Sequence, residues 1–189
     1  TTPIVENAPV DFHGAGQWRF DPRQRTLQYL PWWDQDMERS EFIVPRLTTL
    51  LELRGTPEAP IHNIRFQNLG FEHATWLEPN ATGFVDVQAN FCETPETRLI
   101  VRPNYPATGP ANLVPLAHDC VKSPANIVCH AGREIAFEDC RFARLGGAGL
   151  DIERGSADIR IAHCEFMDIS GSAIQVADVV QVDHHPDNP

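Results

Sequence analysis

Apolar and polar side chains alternate in short stretches along the second half of the chain. The clearest stretches are 135–137, 150–152, 159–161 and 174–176, in each of which the first and third residues are apolar and the residue between them is polar or small. A period of two is typical of a β-strand that buries one face. The pattern therefore predicts a series of short strands and an all-β fold.

These stretches also recur at fixed spacings. An offset of 24 residues, the separation of Ile135 from Ile159, places 135–152 on 159–176 with apolar or glycine residues at matching positions. Short strands repeated at this spacing cannot bury their apolar faces alone, but stacked copies can. We therefore predict a right-handed parallel β-helix, a solenoid whose handedness follows from general chirality.

The first 60 residues have a different pattern. Two alternating stretches, 17–21 and 26–30, flank a proline-containing turn and predict a β-hairpin. Residues 44–51 are expected to form one helical turn that enters a strand at Leu51 and Leu53. We expect residues 1–60 to form an N-terminal hairpin and capping region.

Residues 61–189 are expected to supply the coils of the β-helix. The proline-rich run at about 90–124 interrupts the repeat and predicts a long projecting loop, with one strand near 99–102. The sequence stops soon after an alternating stretch, and no capping helix follows that stretch. We therefore expect a partial solenoid, with self-association through its exposed end as one possible consequence.

Charge and composition narrow the classes of partner. The 189 residues carry a formal net charge of −11, with 26 acidic and 15 basic side chains, and the basic ones are scattered. A phosphate backbone or an anionic membrane would mostly be repelled, so we expect neither nucleic acid nor membrane as a partner. No segment at the start has the pattern of a signal peptide.

The outward positions of the repeats carry the candidate chemistry. Asp151 and Glu153 lie two residues apart on one strand face, about 6.5 Å along the strand, so both carboxyl groups could reach one sugar ring. Paired carboxyl groups are the machinery of glycoside hydrolysis, and we name these two as candidate catalytic residues. The alternative is that the solvent face of an acidic protein simply displays acids.

Neighbouring positions supply candidate substrate-binding residues. We expect His130 to lie beside Glu153 of the neighbouring repeat and Gln175 to follow Asp151 in one column, and Asp178 follows the last alternating stretch. Trp32 and Trp33 could stack on a sugar, but for at least one of them we favour packing of the N-terminal hairpin on the solenoid. Asp178 lies close to the adjacent histidines of 183–186, but adjacent histidines on a strand point to opposite faces. We therefore predict no metal site and no cofactor.

The five cysteines do not form a C-x-x-C motif. Cys140 and Cys164 occupy equivalent points in successive repeats, and we expect a reduced, buried pair there. Cys92 and Cys120 lie near the ends of the projecting loop, and a disulfide between them is plausible if the protein is exported.

Tryptophan, proline and glycine motifs follow one another in order along nearly the whole chain. They are 16–21 (GQWRFD), 29–31 (YLP), 44–47 (VPRL), 71–76 (FEHATW), 137–142 (FEDCRF), 169–174 (ISGSAI) and 183–186 (DHHP). On these motifs the sequence resembles bacterial right-handed parallel β-helix proteins of the group that includes the β-helical fucosidase and xylanase glycoside hydrolases. Ala177 stands where such proteins often have glycine.

This resemblance implies hydrolysis of a plant or microbial oligo- or polysaccharide by a carboxylate pair, on a secreted or periplasmic protein. It also implies that such proteins continue for several coils after the DHHP motif, where their catalytic acids are expected. A polysaccharide lyase is an alternative. Its β-elimination would need a base such as Lys or Arg, and the presence of only one lysine in the chain, Lys122, counts against it. A non-catalytic glycan-binding or structural module is the other alternative.

Overall fold

The structure is a computed structural model that describes residues 12–21, 23–77 and 121–177, together with the backbone of short strands between 84 and 115. The chain divides into two compact units, residues 1–43 and 44–189. The described residues form strands, turns and irregular segments, and they include no helix. The fold is all-β, as the alternation predicts.

The first unit contains the predicted hairpin. Strand β1 (Trp18–Asp21) pairs antiparallel with β2 (Thr26–Tyr29). The Asp21 carboxylate accepts hydrogen bonds from the backbone N–H groups of Arg23 and Gln24, at 2.8 and 3.0 Å, and so stabilises the turn.

The strands of the second unit are short. In chain order they are β3 (Leu51–Arg54), β4 (Ile61–Gln67), β5 (Gly70–Ala74), β6 (Phe84–Val85), β7 (Gln88–Cys92), β8 (Leu99–Val101), β9 (Leu113–Pro115), β10 (Val121–Lys122), β11 (Ala125–His130), β12 (Gly132–Glu138), β13 (Arg141–Leu145), β14 (Ala148–Ile152), β15 (Arg160–Ala162), β16 (Glu165–Ile169) and β17 (Ile174–Val176).

Ten of these strands form three parallel sheets. The first parallel sheet has the order β17-β14-β11-β3, the second β15-β12-β4 and the third β16-β13-β5. Leu150 pairs with Ile174, and Ile135 pairs with Ile64. The first register equals the predicted repeat offset of 24 residues, and the second pairs residues that lie 71 positions apart.

The prediction of a right-handed parallel β-helix is wrong. The parallel strands form three separate sheets of three or four strands each, and these sheets do not make a closed solenoid. Between the second and third sheets the backbone turns at Asn68, Asp139 and His163, whose φ angles are 56°, 52° and 53°. A residue in this left-handed region bends the chain, and the strands before and after it belong to different sheets. The repeat in the sequence determined which strands pair, but it did not determine whether the sheets close into a solenoid.

Stacked aromatic rings fill the interior of the parallel sheets. The Phe142 ring stacks on Phe166 at a centroid distance of 4.5 Å and on Phe71 at 5.1 Å. Phe66 stacks in the same way on Phe137, at 4.9 Å. These rings come from equivalent positions of successive repeats, so in-register pairing stacks each phenylalanine on the equivalent phenylalanine of the next repeat.

The predicted helical turn at 44–51 is wrong. The backbone of this segment bonds to neighbouring strands instead, since the Leu50 N–H donates to the Asn126 carbonyl and the Leu47 carbonyl accepts from Thr75. The buried Asn126 side chain reinforces this by donating to the Thr48 carbonyl at 2.6 Å. The strand predicted to begin at Leu51 is confirmed.

The run predicted as a projecting loop contains short antiparallel strands. Strands β6, β7 and β10 form one sheet, and β8 pairs with β9 in another. The strand predicted near 99–102 is confirmed as β8. Among the residues that the structure describes, no helix is long and apolar enough to cross a membrane.

Candidate functional site

The candidate site lies on one face of the first parallel sheet. Alternation along its strands turns apolar residues inward, where Leu53, Ile127 and Leu150 are buried in the core. The residues between them turn to the opposite face. In register across the four strands these are Glu52, Val128, Asp151 and Gln175.

Asp151 is not solvent-facing as predicted, because it is only 3% exposed. Its carboxylate lies 2.5 Å from the Lys122 ammonium group, which also donates to the Ala177 carbonyl at 2.7 Å. Burial raises the pKa of Asp151 to about 7, Lys122 opposes that rise, and the nearby Glu153 carboxyl adds to it. Burial outweighs the cation, so Asp151 holds a proton up to near-neutral pH.

Glu153 is the more accessible member of the predicted carboxyl pair. Its side chain is 28% exposed, and Oε1 lies 3.6 Å from the same Lys122 nitrogen. One ammonium group therefore lies beside both carboxyl groups, one of them buried and the other facing solvent.

His130 joins Glu153 to a third carboxyl group. Its Nδ1 lies 3.9 Å from Glu153 and its Nε2 lies 3.5 Å from Glu52, which comes from the neighbouring strand. Arg54 pairs with Glu52 at 2.7 Å and lowers the pKa of that carboxyl group. The predicted proximity of His130 and Glu153 is confirmed.

Gln175 follows Asp151 in the same row of side chains and is 5% exposed. Among the residues that the structure describes, neither its side-chain nitrogen nor its side-chain oxygen has a hydrogen-bond partner. The structure thus brings together four of the residues proposed from sequence, namely His130, Asp151, Glu153 and Gln175.

The remaining predicted residues are Trp32, Trp33 and Asp178. Trp32 and Trp33 belong to the first unit, where both are exposed. The Trp32 ring packs against Gly16, whose added Cβ would lie 2.6 Å from it, so packing within the hairpin region accounts for Trp32. Asp178 lies outside the described residues.

Sequence reasoning missed Lys122 and Glu52 as members of this site. Glu52 lies between Leu51 and Leu53, and aligning that pair with Ile127 and Cys129 would have placed it in the row. Lys122 comes from the antiparallel strand β10, outside the repeats, so no repeat alignment could have found it.

Three cysteine side chains lie in the described part of the chain. Cys129, Cys140 and Cys164 are free thiols, and burial raises the pKa of Cys129. The reduced state expected of Cys140 and Cys164 is confirmed, but burial is confirmed for Cys140 alone, because Cys164 is half-buried. The side chains of Cys92 and Cys120 lie outside the described residues.

Within the described part of the chain, no three His, Cys, Asp or Glu side chains are grouped to hold a metal ion.

Comparison with solved structures finds a protein titled "Glycoside hydrolase" that is 30% identical to this chain and superimposes with a TM-score of 0.69. The match covers 90% of this chain but 28% of that protein, so the chain spans little more than a quarter of its length. No family model matches the sequence, and no curated protein matches it. The chain is therefore similar in fold and sequence to a part of that protein.

Proposed function

We propose that this chain is part of a carbohydrate-active protein that hydrolyses a glycosidic bond of an oligo- or polysaccharide, with Asp151 and Glu153 as its carboxyl pair. One observation carries the proposal: two carboxyl groups in unlike environments lie beside the same ammonium group. The likeness to a glycoside hydrolase supports it.

Glycoside hydrolysis needs one carboxyl group that holds a proton and another that is ionised. Burial favours the protonated form of Asp151, whose pKa is about 7, and Glu153 offers a solvent-facing carboxylate. In this proposal Asp151 is the proton donor at the floor of the site. Glu153 and His130 contact the sugar, because they are the exposed members of the cluster.

One observation favours the lyase alternative, but the contacts of the same residue count against it. Lys122 lies in the cluster, where a base for β-elimination would be expected. However, its nitrogen is already engaged within the protein, since it donates to the Asp151 carboxyl and to the Ala177 carbonyl. A secreted or periplasmic location stays a prediction.

The test compares wild-type protein with Asp151→Asn and Glu153→Gln on xylan and on a fucosylated oligosaccharide. We expect release of reducing sugar by the wild type and a loss of at least about 100-fold in both variants, since each acid–base group contributes about 10²–10⁴-fold. Glu165→Gln, at an exposed carboxyl on the third sheet, serves as the control and should keep full activity.

Three other outcomes count against hydrolysis by this pair. An unsaturated product absorbing in the ultraviolet would indicate the lyase. Glycan binding without product would indicate a binding module. Equal activity in all variants would remove Asp151 and Glu153 from the mechanism.

A further inference from the structure

The outward face of the second parallel sheet gathers three arginines that the proposed function does not use. Arg65 on β4 and Arg160 on β15 lie in one row, on either side of Ala136 of the central strand β12. The apolar residues next to this row pack into the core, so the row itself faces outward. Arg133, also on β12, is in register with His62 of β4. All three arginines are exposed, and parallel pairing brings them together from distant parts of the sequence.

Two of these arginines share a single carboxylate. The Nε atoms of Arg65 and Arg160 lie 3.6 and 3.2 Å from different oxygens of Glu138, whose side chain is 14% exposed. The two arginine side chains are 66% and 69% exposed. One carboxylate offsets only one of two positive charges, and it cannot occupy the five N–H donors of each guanidinium group. The pair therefore has both charge and donors left for a further anion.

Arg133 adds a third positive charge. Within the described part of the chain, no carboxylate forms an ion pair with it. Glu134 and Asp158 are the nearby acids along the strands, at left-handed positions with φ angles of 51° and 56°. Neither acid forms an ion pair with any arginine among the described residues. The surface thus holds three guanidinium groups and one ion-paired carboxylate, on a protein whose formal net charge is −11.

We propose that Arg65, Arg133 and Arg160, here called the arginine face, bind a carboxylate-bearing polysaccharide. A guanidinium group matches a carboxylate with two parallel N–H···O bonds. A chain that carries a carboxylate on each sugar can engage several arginines at once, which a single small acid cannot do. Ala136, the residue between two of the arginines, has a side chain too short to fill the space above the sheet.

The charge of the rest of the molecule argues against a denser polyanion. Double-stranded DNA carries one negative charge per about 1.7 Å of its axis, and most of that charge would meet the surrounding acidic surface. A polyuronate carries only one charge per sugar. The proposal goes beyond the proposed function, because the arginine face lies on the second sheet and Asp151 lies on the first.

The experiment is isothermal titration of the whole chain with hexagalacturonate, an acidic probe, and with xylohexaose, a neutral one of equal length. Arg65→Gln combined with Arg160→Gln should weaken hexagalacturonate binding by about 10-fold or more, because charge-assisted hydrogen bonds are lost. Xylohexaose binding should not change. Arg133→Gln breaks no ion pair of the described residues, and it should weaken hexagalacturonate binding by about 3-fold. Added salt should weaken the same binding.

Arg39→Gln combined with Arg46→Gln is the matched control, because it removes two exposed arginines that belong to no strand. Its affinity for hexagalacturonate should equal that of the wild type, and an equal loss would attribute binding to net charge and overturn the proposal. Unchanged affinity in the Arg65 and Arg160 variant, or no binding by the wild type, would also overturn it. Tighter binding of hexathymidylate would do the same, since it would indicate a phosphate site.

Asp151→Asn separates this proposal from the proposed function. This variant should bind hexagalacturonate like the wild type, because the arginine face does not include the carboxyl pair. Loss of hydrolysis with binding retained would leave the arginine face standing. Loss of hexagalacturonate binding in Asp151→Asn would place the acidic chain on the first sheet and overturn the proposal.

Discussion

Two opposing effects meet at Asp151. Removing a carboxyl group from water favours its neutral form, and the adjacent Lys122 ammonium favours its charged form. At 3% exposure the first effect is larger, and the pKa of Asp151 rises to about 7. A sequence reading that treats this acid as one more solvated carboxylate therefore assigns it the wrong protonation state.

The raised pKa of Asp151 predicts a pH-dependent stability. Because the folded protein holds this proton up to about pH 7 and the unfolded chain loses it near pH 4, the group's contribution is fully present below pH 4 and is lost as the pH rises through 7. The free energy of unfolding of the wild type, measured by urea denaturation relative to Asp151→Asn, should fall by up to about 4 kcal/mol between pH 4 and pH 8.

Glu165→Gln is the control, and its stability relative to the wild type should not show this fall, because Glu165 is exposed. A wild-type advantage over Asp151→Asn that grows with pH would show instead that Asp151 is ionised and that the Lys122 ion pair dominates.

At the scale of single elements, β14 requires a glycine because its backbone packs closely against a neighbouring segment. This strand lies between β11 and β17, so it has neighbours on both sides. A Cβ atom on Gly149 would lie 2.5 Å from the Ala173 carbonyl oxygen, which belongs to the backbone and also accepts a hydrogen bond from Leu150. Glycine is required there by space and not by backbone conformation.

Gly149→Ala should therefore destabilise the protein by about 1–3 kcal/mol, the usual cost of overpacking a site that cannot relax. Urea denaturation at a fixed pH measures the change. Gly70→Ala is the matched control, because its nearest contact would be the flexible Glu72 side chain at 3.6 Å. Equal stability of the two variants would show that the segment before β17 shifts freely.

At the scale of the whole molecule, each parallel sheet in the described part of the chain ends in strands that have a hydrogen-bonded neighbour on one side only. Among the described residues, β17, β15 and β16 have no further partner at one edge, and β3, β4 and β5 have none at the other. The two edges carry matching repeats, since Phe71 at one already stacks on Phe142, whose equivalent at the other is Phe166. A second copy of the chain can therefore continue the same registers.

We expect concentration-dependent self-association through these edges, measured by sedimentation velocity. Val176→Lys places a charge on the edge strand β17, where Val176 is 71% exposed, and should raise the dissociation constant at least 10-fold. Val44→Lys is the control, because Val44 is 74% exposed but belongs to no strand, and it should associate like the wild type. A wild type that stays monomeric at every concentration would refute this expectation.

The sequence by itself determined the repeated strands and their partners. Alternation identified the buried faces, and the repeat offset predicted the pairing of Leu150 with Ile174 and of Phe142 with Phe166. This is possible because in-register parallel pairing places equivalent residues side by side. The same rule placed Asp151 and Gln175 in one row and His130 near Glu153.

Only the tertiary structure decided how the sheets are divided and which charges meet. The left-handed turns at Asn68, Asp139 and His163 separate the sheets, and no pattern of apolar residues specifies a φ angle. Lys122 reaches Asp151 from a strand outside the repeats, a contact between residues 29 positions apart. Burial and charge depend on such distant neighbours, so the protonation of Asp151 and the unsatisfied amide of Gln175 could be read only from the folded chain.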